Sequence, residues 1–268
     1  LVVFGLLGWL AGLAVAMITA GGLLLALAVW IITRFSEDGF TPKQQRRLYE
    51  AGRIFRAGIA LVRTDRVVVR LLAVTVLFNL GAEGMDRLTE ARLLDLGLPG
   101  RPAPVLFFTA LGIVGLLGGA GFLRLLDPLI TGGDDNPTSD GGPTSDDGPR
   151  LVYGAMAILA AIGALLVAVA PVAAIGAVGV FLSRGLAWSV LPVVSSVWIN
   201  RVTESEVRAT VQSFLGQATS TGQIAGGLLL GFVTSVSGLP AALGVSAALF
   251  ACSGLLILRR GTPRPRAG

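Results

Sequence analysis

The chain contains no histidine and a single cysteine, Cys252. The first absence removes the usual ligand for zinc and haem and the usual general base near neutral pH. The second excludes an internal disulfide. Charge is also scarce: 14% of residues are Asp, Glu, Lys or Arg, against about 25% in soluble domains. No serine stands in a GxSxG setting, so a hydrolase nucleophile elbow is missing too. These absences point away from an enzyme and call for no cofactor and no metal.

What fills the chain is apolar: 53% of residues are hydrophobic and the mean hydropathy is +0.78. A bilayer core needs about 20 apolar residues per helix. The runs here are too long and too uniform for barrel strands, which alternate over about 10 residues. Only helices and closed barrels satisfy the backbone in lipid. The expected fold is therefore all-α: a polytopic transmembrane helical bundle with seven full spans and part of an eighth.

The chain opens on Leu1-Val2-Val3-Phe4 with no charged leader. That is not a signal peptide, and it reads as a helix entered partway. As one helix, residues 1–35 would measure roughly 50 Å, too long for a bilayer. A partial helix over 1–10, a break near Ala11-Gly12 and a full span over 13–34 are expected. Further spans are expected at about 67–87, 103–124, 151–170, 172–198, 209–236 and 239–258. Pro171 and Gly238-Leu239-Pro240 mark tight turns.

Two polar stretches interrupt the apolar pattern. In 35–66, Thr41-Pro42 signals a helix start. Leu48, Ala51, Phe55 and Ile59 then recur at helical spacing, with Lys43, Arg46, Arg47, Glu50 and Arg53 on the other faces. This reads as an amphipathic linker helix on the membrane surface. In 125–150, Pro137-Thr138-Ser139-Asp140 recurs as Pro143-Thr144-Ser145-Asp146 among Gly and Asp. That composition reads as a disordered loop.

Lys and Arg set the orientation. The linker 35–66, Arg124 and Arg150, Arg201 and Arg208, and the tail 259–268 fall on one side; only Arg87, Arg92 and Arg101 fall on the other. By the positive-inside rule the linker and the C-terminus are cytoplasmic, in a multi-pass protein of the cell membrane. The net charge of +5 then meets anionic lipid of the bilayer rather than nucleic acid.

Three stretches carry a resemblance. They are Phe55-Arg56-Ala57-Gly58 through Arg63-Thr64-Asp65-Arg66, Gly81-Ala82-Glu83-Gly84-Met85-Asp86-Arg87, and Trp198-Ile199-Asn200-Arg201 through Gln212-Ser213 with Gly222-Gln223-Ile224-Ala225-Gly226-Gly227. Together with six spans after a basic linker, they resemble the major facilitator superfamily (MFS) of transporters. The resemblance implies that 1–34 ends the N-terminal half and that 67–258 is the C-terminal six-helix half. It also implies that the rest of the N-terminal helices is missing and would be a partner of this half. The chain departs from the family pattern in two places: those N-terminal helices are absent from it, and the acidic Pro-Thr-Ser-Asp repeat stands where a basic glycine-containing motif is expected.

Charge inside a membrane marks function by default. Arg184 lies roughly 18 Å into its span at 1.5 Å per residue, with Trp188 one turn further on. The resemblance implies a substrate cavity that they would line, as a fixed charge and an aromatic wall; a structural Arg bridging helices is the other reading. Asn79, Glu83, Arg87 and Glu90 form one stripe. There Glu83 is either a proton carrier or half of an interfacial ion pair with Arg87. Thr210, Ser213, Gln217, Ser220 and Thr221 share a second stripe, with Gln217 the candidate substrate contact and Gln223 off that face. Arg201, Glu204, Glu206 and Arg208 form a cluster that the resemblance casts as a gate. Gly222 with Gly226, Gly227 with Gly231, and Gly115 with Gly119 are small-residue pairs for close packing.

The expected function is secondary active transport of a small-molecule substrate by alternating access, with proton-coupled efflux of a drug-like compound implied within the family. The alternative is a truncated, transport-inactive membrane module with a role in assembly or interaction.

Overall fold

The computed structural model describes residues 2–34, 56, 65–98, 103–131, 147–203 and 205–259, and every regular element among them is helical. In chain order these are α1 (Val2–Leu10), α2 (Leu13–Arg34), α3 (Arg66–Asp95), α4 (Ala103–Thr131), α5 (Asp147–Val169), α6 (Ala173–Val180), a π-helical segment (Phe181–Ala187), α7 (Trp188–Val202) and α8 (Ser205–Leu258). Among the described residues, six helical stretches are long and apolar enough to cross a membrane. The protein is a membrane-embedded helical bundle.

The breaks follow backbone chemistry. Gly12 takes φ 95° between α1 and α2, a conformation that costs any residue with a Cβ. Gly238, at φ 82° and ψ 173°, divides α8 into two arms. Pro240 then starts the second arm, where its missing N–H costs no hydrogen bond. At the start of α3, the Asp65 side chain accepts from the Val67 and Val68 amides at 2.8 and 3.4 Å, an N-cap.

The core lies where α3 and α5 pack on the two arms of α8. Leu71, Val74, Phe78, Met85, Tyr153, Leu243 and Phe250 are buried there. The first arm of α8 meets α3 through Gly222 and Gly226: a Cβ at either position would collide with the Val76 or Leu80 carbonyl. Gly163 and Gly179 bring α5 and α6 together in the same way, and Gly115 and Gly119 bring α4 against Gly185 and Ser189. The Gly227 and Gly231 pair behaves differently: nothing lies within 4 Å of a Cβ at Gly231. α1 packs on α4 through Gly5 and Thr109. α2 leaves Ile18, Leu25 and Ile32 exposed, as does much of α4 at Leu117 and Leu125. Such surface is stable against lipid.

Three boundaries differ from the sequence expectation. α3 runs on to Asp95 rather than ending near 87. The extension is held by Arg92, which donates to the carbonyls of Val167, Ala168 and Ala170 at 3.5, 3.2 and 3.1 Å. These are the end carbonyls of α5, left open by the Pro171 turn. Both ends of the expected 125–150 loop are helical: α4 continues to Thr131 on Leu126 and Ile130, and α5 begins at Asp147. An acidic first turn there suits the positive end of the helix dipole. The Pro-Thr-Ser-Asp repeat, almost all of the 35–66 linker and the tail beyond Arg259 lie outside the described residues. Arg259 itself offers its carbonyl to Arg70 at 2.7 Å, joining α3 to the end of α8.

A candidate substrate cavity

Two layers of polar side chains cross the bundle. The first is charged. Arg184, from the π-helical segment, donates to Asp86 of α3 at 2.6 Å. Its guanidinium also stands 5.8 Å from the Trp188 ring centre, within cation–π range. One turn earlier on α3, Glu83 accepts from Arg87 at 2.8 Å. Glu83 is the more enclosed partner, its side chain 12% exposed against 74% for Arg87. Each of these four charges therefore has an opposite neighbour.

The π-helical turn places Arg184. In a π turn the N–H bonds five residues back, and such turns concentrate at functional sites. Here the Trp188 amide reaches the Ser183 carbonyl. Ser183 adds a hydroxyl bond to Gly179 O at 2.8 Å, and Ser189 another to Gly185 O at 2.7 Å. Pro192, inside α7, withholds the N–H that would meet Trp188 O.

The second layer carries no formal charge. A cavity of about 380 Å³ opens between α3, α5, α7 and α8, within the range of small-molecule sites. Its polar lining is Thr75, Asn79, Tyr153, Ser195, Ser196, Gln212, Thr219 and Gln223; Phe78, Trp188, Leu191, Pro192 and Leu215 supply the apolar walls. Asn79 donates to Thr75 O at 2.9 Å. Gln212 donates to Ser196 Oγ at 3.2 Å and Asn200 Oδ1 at 3.0 Å, pinning α8 to α7. Thr75 is 6% exposed. The Tyr153 hydroxyl lies beside it, without an aligned hydrogen bond to Thr75 Oγ1, and the two border the open space.

The two layers touch at Trp188, which lines the cavity and receives Arg184. They also touch at Gln223. That residue belongs to the cavity and to a second opening of about 500 Å³ bounded by Glu83, Asp86 and Arg87.

The residues singled out from sequence thus divide. Asn79 and Trp188 line the neutral cavity. Arg184 and Glu83 are not in its lining and sit in ion pairs. Glu90 borders a further cavity of about 370 Å³ with Arg184. Gln217 is exposed and outside the cavity lining, as are Ser213, Ser220 and Thr221, with Thr210 half-buried, while Gln223 is part of the lining. Of the expected gate, Arg208 donates to Thr203 O at 3.4 Å across the α7–α8 turn, and Arg201 is exposed at the end of α7. Glu204 and the Glu206 side chain lie outside the described residues. Asp86, Thr75, Tyr153 and Gln212 complete the two layers; in sequence, Asp86 and Gln212 stand within the stretches of the resemblance, not as site residues, and neither Thr75 nor Tyr153 is singled out. One signal was available: the chain has only two tyrosines, and a tyrosine within an apolar span needs a partner for its hydroxyl.

These features define a class, a membrane-embedded helical protein with a partly open cavity lined by uncharged polar and apolar side chains. Comparison with protein-family models, curated proteins and solved structures returns no match to this chain.

Proposed function

We propose that the chain belongs to a secondary active transporter that moves a small solute across the cell membrane by alternating access, with the neutral cavity as its substrate site. The observation that carries this reading is the cavity's depth. Thr75 lies roughly 14 Å along α3 at 1.5 Å per residue, near the middle of a hydrocarbon core about 30 Å thick. Open polar space at that depth is tolerated where it binds or conducts something. Substrate sites near the midplane, flanked by irregular helices, are the common arrangement in secondary transporters. The π-helical turn beside Trp188 supplies such irregularity.

Within this reading the resemblance to the major facilitator superfamily supplies the finer frame. It gives seven spans and part of an eighth, a further N-terminal half as partner, and a cytoplasmic linker and C-terminus. Proton-coupled efflux is the mode it implies. Glu83 is then the coupling candidate, held by Arg87 until a proton releases it. One observation favours the second reading, a transport-inactive module acting by assembly. The stripe Ser213, Gln217, Ser220 and Thr221 is exposed, and polar side chains on a membrane helix favour contact with other helices.

Cysteine accessibility separates the two. With Cys252 replaced by Ser, a single cysteine at Ser195, buried in the cavity wall at 6% exposure, is labelled by an impermeant maleimide. A transporter admits label from either membrane face in vesicles of opposite orientation. A static module admits it from one face or neither.

A further inference from the structure

We infer that the cavity takes an uncharged molecule bearing a flat ring and hydrogen-bonding groups, anchored at Thr75 and stacked against Trp188. The inference rests on the transport reading of the same cavity and names its ligand class.

The argument begins with the charges. Arg184 is the obvious anchor for an anion, but its guanidinium is engaged by Asp86 at 2.6 Å and by the Trp188 ring. Glu83 would suit a cation, but Arg87 holds it at 2.8 Å. Neither residue reaches the cavity lining, which among the described residues contains no Asp, Glu, Lys or Arg. A charged ligand seated there exchanges part of its water for neutral side chains, and that exchange costs more for a charge than for a neutral polar group. Hydrogen-bonding capacity, in contrast, is abundant. Asn79, Tyr153, Ser195 and Gln212 line the space, and Thr75 Oγ1 is buried with no aligned partner and the Tyr153 hydroxyl beside it. Buried polar atoms in native proteins are almost always satisfied, so the Thr75 hydroxyl, bordering an open cavity with only a misaligned neighbour in Tyr153, is where a ligand atom completes the hydrogen bonding.

Shape follows from the walls. Phe78 packs on Phe250 with ring centres 4.7 Å apart and forms one side of the space; Trp188 forms part of another. Trp188 is half-buried, and flat aromatic surfaces favour flat partners. A ring between these walls, with an amide or hydroxyl directed at Thr75, uses every feature of the site.

The test uses three probes with one indole ring: neutral N-acetyltryptophanamide, anionic N-acetyltryptophan and cationic tryptophanamide. Each is titrated by equilibrium dialysis against the full chain in lipid nanodiscs. The neutral probe is expected to bind at least tenfold more tightly than either charged one. Thr75→Val keeps the shape and removes the hydroxyl; it should weaken the neutral probe about tenfold. Trp188→Leu should weaken it as well, while Gln217→Leu, outside the lining, should not. Equal or tighter binding of a charged probe overturns the ligand class, and so does binding of none of the three. An unchanged affinity in Thr75→Val overturns the anchor. The Ser195 labelling experiment reports separately on transport. Two-sided labelling without neutral-probe preference sinks this inference and leaves the transport reading standing. Neutral-probe preference with one-sided labelling does the reverse.

Discussion

Gly226→Leu is expected to prevent the bundle from assembling, whereas Gly231→Leu, five residues further along α8, is expected to leave it intact. At Gly226 a Cβ would meet the Leu80 carbonyl, with Leu80 Cα and Glu83 Cβ at 3.0 Å. Backbone cannot move aside as a flexible side chain can, so α3 and α8 must separate. That separation opens the seam that buries Phe78, Met85 and Leu230. Overpacking costs typically about 1–3 kcal/mol, and a backbone collision at the centre of the largest helix contact belongs at or above the top of that range. Gly222→Leu should behave like Gly226→Leu, since its Cβ would meet Val76 O at 2.5 Å and Asn79 Cβ at 2.9 Å. At Gly231 nothing lies within 4 Å. Size-exclusion profiles in detergent and thermal unfolding of the three variants check this. Equal behaviour of Gly226→Leu and Gly231→Leu would remove the α3–α8 seam from the account.

Asp86→Ala is expected to destabilise the protein by about 1–2 kcal/mol, and adding Arg184→Ala is expected to restore part of the loss. The pair spans two helices, with side chains 32% and 45% exposed for Arg184 and Asp86. Partial solvation keeps the effect below the roughly 3–5 kcal/mol of a fully buried broken pair. Removing Asp86 leaves a cation in an apolar span with the Trp188 ring beside it and Glu90 on the same cavity. Removing both leaves two neutral side chains, so the double variant should lose less than the sum of the single ones. The exchange Asp86→Arg with Arg184→Asp should recover more stability than either single change. A double-mutant cycle from denaturant unfolding in nanodiscs measures the coupling. Additive single effects would mean that the 2.6 Å contact contributes nothing.

These two cases show where the sequence was legible. Runs of about 20 apolar residues marked the spans, and Gly12 and Gly238 marked breaks, because length and backbone freedom are local properties. Which glycine pair packs is a different matter. Gly222 with Gly226 and Gly227 with Gly231 have identical spacing, yet neighbouring positions on a helix differ by about 100° in direction. Only the tertiary arrangement tells which pair faces α3. The same ambiguity moved the polar face of α8. The stripe through Gln217 and the stripe Gln212, Gly216, Thr219 and Gln223 both have helical period, and the second lines the cavity. Asp86 and Arg184 are 98 residues apart, and their meeting depends on a π-helical turn that leaves no local signature. The end of α3 was misjudged because Arg87 and Arg92 read as loop charges beyond a span ending at 87, while Arg92 closes the carbonyls of α5.

The central claim is that a polar cavity open to water stands at mid-membrane depth between α3, α7 and α8. Single cysteines at Thr219 and Leu117, each with Cys252 replaced by Ser, test it most directly. Thr219 lines the cavity. Leu117 lies at mid-length in α4 and is 68% exposed on the apolar outer surface. Both are treated with a membrane-impermeant maleimide in proteoliposomes. The account predicts rapid labelling at position 219 and none at 117 until detergent is added. Labelling at 117 with protection at 219 would contradict it.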